Sequence, residues 1–136
     1  MSTATELRLT QRWLALEHEA IWTLGLVGAR VPALADAAED ALATHSTTRD
    51  RLSDAVRKLG GSPVATQPSY DVAEPTNAAT GRTLVRDVES RIAAACVRLV
   101  AATTDQARDR AVRGLRAAAV AEVRWGGEPD PFPGLD

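Results

Sequence analysis

Apolar residues recur three, four and seven positions apart through most of the chain, the spacing of one buried face of a helix. Leu7, Leu14, Ile21 and Leu24 trace such a face near the start. Ala38, Leu52 and Leu59 form a seven-residue column further on, with Leu42 and Val56 in the column beside it. Two more faces follow, Val85-Val88-Ile92-Ala95-Leu99 and Ala111-Leu115-Ala118-Trp125. Punctuation sets their limits. Thr3 and Glu6 have capping-box spacing, Val31-Pro32 breaks the first pattern, and Gly60-Gly61 stops the second. Thr76 is placed to cap the third, and Gly126-Gly127 ends the fourth. The expectation is one domain over 1–125, with helices at about 4–30, 32–59, 77–103 and 105–125. A connection over 60–76 and a Pro/Gly-rich tail over 126–136 complete the chain.

Connection lengths then select the architecture. The first and third connections hold only a few residues, so each joins an antiparallel pair. The middle one is different: about eighteen extended residues reach ~60 Å, whereas a helix of about 26 residues is only ~39 Å long. It can return along the whole length of the bundle. The fold class is therefore all-α, a ferritin-like four-helix bundle made of two helical hairpins joined by a long crossover.

Four polar side chains interrupt the apolar faces, one per helix: Glu17, His45, Glu89 and Glu122. Arg49 follows His45 by one turn on the flank of the second helix. Counted from the hairpin turns, Glu17, His45 and Glu89 come out nearly level, while Glu122 falls most of a turn beyond. An unpaired buried carboxylate costs several kcal/mol, a large part of the ~5–15 kcal/mol that stabilises a domain. These residues must be paired, protonated, partly solvated or bound to metal. The expected resolution is a buried polar cluster of Glu17, His45, Arg49, Glu89 and Glu122, in which Arg49 and His45 neutralise Glu17 and Glu89.

Composition narrows the partners. The chain holds 26 Ala and 15 Arg, but aromatic residues make up only 4% and the formal net charge is −2. The arginines lack interleaved aromatics, which argues against a nucleic-acid face. One cysteine excludes an internal disulfide, and Cys96 reads as a small buried hydrophobe. The charged N-terminus resembles no secretory signal, and no apolar run is long enough to span a membrane. A cytoplasmic location follows from these. His18 lies off the apolar stripe and reads as a flank residue. Trp125 reads as core and Trp22 as a helix–helix or dimer contact. The small residues Ala93–Ala95 and Ala117–Ala119 suit close helix approach, and a homodimer is the expected assembly.

Leu16-Glu17-His18-Glu19-Ala20-Ile21-Trp22, His45-Ser-Thr-Thr-Arg49-Asp50-Arg51-Leu52 and the tail Pro131-Phe-Pro-Gly-Leu135 resemble, in order and spacing, an actinobacterial ferritin-like family of unknown function. The resemblance covers nearly the whole chain and implies a ferritin-like bundle with no established activity. Ferritin-like carboxylate proteins take a Glu from each of two helices and a Glu-x-x-His from each of the other two. Here Leu42 stands three before His45, and Trp125 three after Glu122. The reading is a non-enzymatic structural or binding protein with a degenerate metal site and no cofactor. The alternative is a di-iron or di-manganese carboxylate protein, an oxidase or iron binder, with Glu17, His45, Glu89 and Glu122 as its reduced ligand set. A third reading is a small-molecule ligand held between the helices against Glu17, His45 and Trp13.

Overall fold

A computed structural model describes residues 2–135. Four helices account for most of them: α1 (Thr3–Arg30), α2 (Ala35–Lys58), α3 (Ala78–Ala102) and α4 (Asp105–Arg124). No strand occurs among the described residues. Two caps fall one residue away from the sequence expectation. Ser2, not Thr3, caps α1, its Oγ accepting from the backbone N–H of Thr5 at 3.2 Å. Asn77, not Thr76, caps α3 and forms a reciprocal capping box with Thr80. In both cases the residue that leaves extended backbone last before the helix is the one able to offer its side-chain oxygen.

The break at Val31-Pro32 is a single 3-10 turn, Pro32–Leu34, so α2 starts at Ala35. Val31 is extended there, and Leu34 N–H bonds back to its carbonyl at 2.9 Å. At the other end of α2, Gly60 turns left-handed (φ +85) and Gly61 N–H returns to Val56 C=O at 3.0 Å. Between α3 and α4 lie only Thr103 and Thr104, both extended.

The long connection follows α1. Gln11 anchors its start, donating to Ser62 C=O at 2.6 Å and accepting from Val64 N–H at 2.8 Å. His18 Nε2 lies 3.0 Å from Val64 O, Trp22 packs on Tyr70 with centroids 6.0 Å apart, and Arg30 approaches Glu74 at 3.7 Å. Partners ascend together along both segments, from Gln11 to Arg30 of α1. Within the chain Trp22 thus meets the connection. It remains 38% exposed.

Two apolar cores fill the bundle. One gathers Leu9, Trp13, Leu14 and Leu16 of α1 with Leu52 and Val56 of α2, Val88, Ile92, Cys96 and Leu99 of α3, and Ala111 and Ala118 of α4. The other groups Leu24 and Val27 with Val31, Leu34, Ala38, Val85 and Trp125. Packing joins α1 to α2, α3 to α4, and α1 to α3. The fourth side differs: no Cα of α2 lies within 8 Å of a Cα of α4. The bundle is closed on three sides and open between its second and fourth helices.

Candidate functional site, a histidine between two buried carboxylates

Glu17 of α1 and Glu89 of α3 point into the interior at the level between the two apolar cores, and each is almost fully buried. His45 enters from α2. Its Nδ1 lies 2.6 Å from Glu17 Oε1 and its Nε2 lies 2.5 Å from Glu89 Oε1. A neutral imidazole carries one N–H, so satisfying a carboxylate at both nitrogens requires the imidazolium, which donates twice. Burial pulls the His45 pKa down, but hydrogen bonds and charge from Glu17 and Glu89 outweigh it and push it up to about 10. The second oxygen of Glu17 accepts from Trp13 Nε1–H at 3.0 Å, one helical turn earlier.

Glu89 differs from Glu17. Burial raises its carboxyl above the ordinary value, against the lowering effect of His45. Among the described residues its one hydrogen bond is to His45. Among the described residues no fully enclosed side-chain nitrogen or oxygen lacks a partner. The second oxygen of Glu89 is therefore not enclosed, and it opens to the gap between α2 and α4.

That gap is a cleft of about 740 Å³, a size suited to small organic molecules. Its floor carries Trp13, Glu17, His45, Glu89 and Ile92. One wall is the small-residue face of α2 (Ala37, Ala41, Thr44, Thr48), and the other is Ala117, Val120 and Ala121 of α4. Trp125 and Leu34 close one end, and Asp40, Arg82, Arg116 and Arg124 stand at the rim. The depth at the floor depends on Gly114. A methyl group there would overlap the Trp13 ring and come within 2.9 Å of Cys96 Sγ. Burial, with the nearby Glu17 and Glu89 charges, raises the Cys96 thiol and disfavours the thiolate.

Of the five residues expected in the polar cluster, the structure brings together Glu17, His45 and Glu89. Arg49 goes elsewhere: its Nε bonds Asp50 at 3.0 Å. A neighbouring, solvated carboxylate gives the guanidinium a partner without desolvation, and His45 already supplies the internal charge. Glu122 is half-buried beside the C-terminal tail, where it lines a separate hollow of about 330 Å³ with Glu128, Pro129 and Asp130. Its most-of-a-turn offset carries it past the level of the other three. The rim arginines were missed by sequence reasoning. Their signal was the four-residue spacing of Arg116, Val120 and Arg124 beside Ala117 and Ala121, which places cations along an apolar edge.

The two nitrogens of His45 face opposite sides of the ring, and each is committed to a carboxylate. Among the described residues no group of three His, Cys, Asp or Glu is arranged to hold an ion.

Residues 10–136 match the family described as a domain of unknown function, DUF4439, and the chain belongs to that family. Its fold is similar to the crystal structure of a conserved hypothetical protein, rv2844, from Mycobacterium tuberculosis. The TM-score is 0.86 at 26% identity, over 92% of this chain and 97% of that one. No curated protein matches in sequence. No described helix is long and apolar enough to cross a membrane.

Proposed function

We propose that this chain is a non-catalytic binding protein of ferritin-like descent. The cleft between α2 and α4 receives a small organic molecule, and His45 stands between the carboxylates where a metal-bearing bundle holds a cation. The observation that carries the reading is the doubly hydrogen-bonded His45, 2.6 Å from Glu17 and 2.5 Å from Glu89, at the floor of an open 740 Å³ cleft. The imidazolium balances much of the buried negative charge, which leaves the cleft available for something other than metal. The two hairpins and the connection climbing α1 support the ferritin-like descent.

Two of the titratable groups, His45 and Cys96, support a non-catalytic role. General acid–base catalysis works best with a pKa near the operating pH. His45 is held near 10, and the Cys96 thiol is pushed up as well. Neither exchanges a proton readily at neutral pH. The reading places the protein in the cytoplasm as a homodimer, for which the exposed Val123, Phe132 and Leu135 at the C-terminal end offer apolar surface.

The test is a ligand-observed NMR screen of small organic fragments on the wild-type chain and on Ala117→Trp. Ala117 is an exposed wall residue, so tryptophan there fills the cleft without entering a core. Fragments that bind wild type and are lost in the variant support the reading. A screen with no such fragment, or about two equivalents of iron or manganese retained and lost in Glu17→Ala, overturns it.

A further inference from the structure

We infer that the cleft recognises small molecules carrying both an ammonium group and an acidic group, the ammonium set on Glu89 and the acid on the rim arginines. The inference rests on the binding reading above and names the class of ligand for that same cleft. Glu89 is 2% exposed, yet among the described residues one of its carboxylate oxygens has no partner, and Glu89 lines the cleft. An acceptor at the floor of the cleft takes an N–H donor, and a charged donor meets it best.

Net charge at the floor points the same way. One imidazolium against two carboxylates leaves a single negative charge, so a cation delivered to Glu89 completes the balance. Burial raises the carboxyl of Glu89, and an ammonium at its free oxygen would favour the ionised form again. The rim has the opposite sign. Arg82, Arg116 and Arg124 stand there with one acid, Asp40, and none of the three forms an ion pair within 4 Å among the described residues, although Arg124 also borders the hollow of Glu128 and Asp130. Guanidinium groups at the mouth of a cleft suit a carboxylate or phosphate. Between floor and rim the walls are Ala and Val with Thr44 and Thr48, whose hydroxyls bond back to their own helix, so they take an aliphatic body and discriminate little along it. A donor at one end, an acceptor at the other and an apolar middle define an amino-acid-like molecule.

The experiment titrates the full chain by calorimetry with unbranched ω-amino acids from glycine to 8-aminooctanoate. For each length it compares the acid lacking the amine and the amine lacking the acid. At least one ω-amino acid should bind about tenfold more tightly than either truncated form. Glu89→Gln, which keeps the shape and the His45 contact but removes the charge, should remove the advantage over the plain acid. Arg116→Ala with Arg124→Ala should remove the advantage over the plain amine. Circular dichroism confirms that each variant folds, and Asp109→Asn, exposed on α4 and lining neither hollow, should bind as wild type does. Equal binding of an ω-amino acid and its amine-free analogue, unchanged in Glu89→Gln, overturns the inference. So does silence across the whole series. If fragments sensitive to Ala117→Trp still exist in that case, only the ligand class has failed; if none exists, the binding reading has failed with it.

Discussion

The seam between α1 and α3 and the gap between α2 and α4 lie on opposite sides of the same polar layer, and they are built differently. At the seam, Leu14 shares one apolar core with Val88 and Ile92, and Leu24 and Val27 share the other with Val85. Arg91 adds a bidentate bond to Glu19, at 2.7 and 3.0 Å, on the outer edge. At the gap the facing residues are Ala37, Ala41 and Thr44 against Ala117, Val120 and Ala121, and no Cα of one helix comes within 8 Å of a Cα of the other. Each hairpin is packed within itself and is joined to the other through α1 and α3. The lesson is that the chain packs on three sides and leaves the fourth side open. It also explains why Glu17, whose two oxygens bond His45 and Trp13, is fully partnered, whereas Glu89 keeps one oxygen for the cleft.

The sharpest break of this contrast is His45→Ala. It strands two carboxylates that are almost wholly buried, and removing one side of a buried charged pair costs about 3–5 kcal/mol. Urea unfolding should show that loss. Replacing Glu17, His45 and Glu89 together by Leu should instead leave stability unchanged or raise it, because no charge then needs a partner. If the triple variant were the less stable one, the layer would hold the fold together more strongly than a buried ion pair does.

Alkaline pH probes the same layer without mutation. The folded pKa of His45, about 10, lies above its ordinary 6.5, so its contribution to stability is complete below about pH 6.5 and is lost as pH rises through about 10. Glu89 works in the same direction from lower pH, since its raised carboxyl also holds a proton more tightly in the folded chain. The expected decline is on the order of a few kcal/mol between neutral pH and pH 10. His45→Gln should flatten it. A wild-type profile already flat over that range would contradict the imidazolium.

Gly114→Ala acts on the floor of the cleft. The added methyl group runs into the Trp13 ring and Cys96, and overpacking of this kind costs about 1–3 kcal/mol. Since Trp13 donates to Glu17, the variant should also shift the alkaline transition. Thermal unfolding over a pH series reads both effects.

Glu17, His45 and Glu89 stood out in the sequence because each broke an apolar stripe and hairpin counting put them level. Glu122 broke its stripe too. However, the fully buried column of α4 is Ala111, Ala118 and Trp125, and Glu122 lies beside that column, over the tail. Arg49 was assigned to the cluster by proximity alone, and spacing cannot weigh an internal carboxylate against a solvated neighbour such as Asp50. The gap was the least legible feature. Ala117–Ala119 were read as a close-packing surface, and Ala118 is buried, but Ala117 is exposed on the cleft wall. Alanine suits a tight helix contact and a bare helix face equally well. Its presence therefore carries no information about which of the two occurs.

The smallest expected effect sharpens the comparison most directly. Val88 at the seam is 1% exposed and Val120 at the gap is 49% exposed. Truncating each to Ala removes the same two methyl groups in the same kind of helix, so propensity and chemistry cancel and only closure differs. Val88→Ala should cost about 2 kcal/mol, from lost transfer energy and the cavity left behind. Val120→Ala should change stability by less than about 0.5 kcal/mol, as exposed substitutions do. Equal losses in parallel urea titrations would mean that α2 and α4 close on each other in solution. In that case a ligand could not enter between them without forcing the hairpins apart. A ligand that fits the cleft would widen the other result, because Val120→Ala would then lower affinity while leaving the free chain's stability where it was.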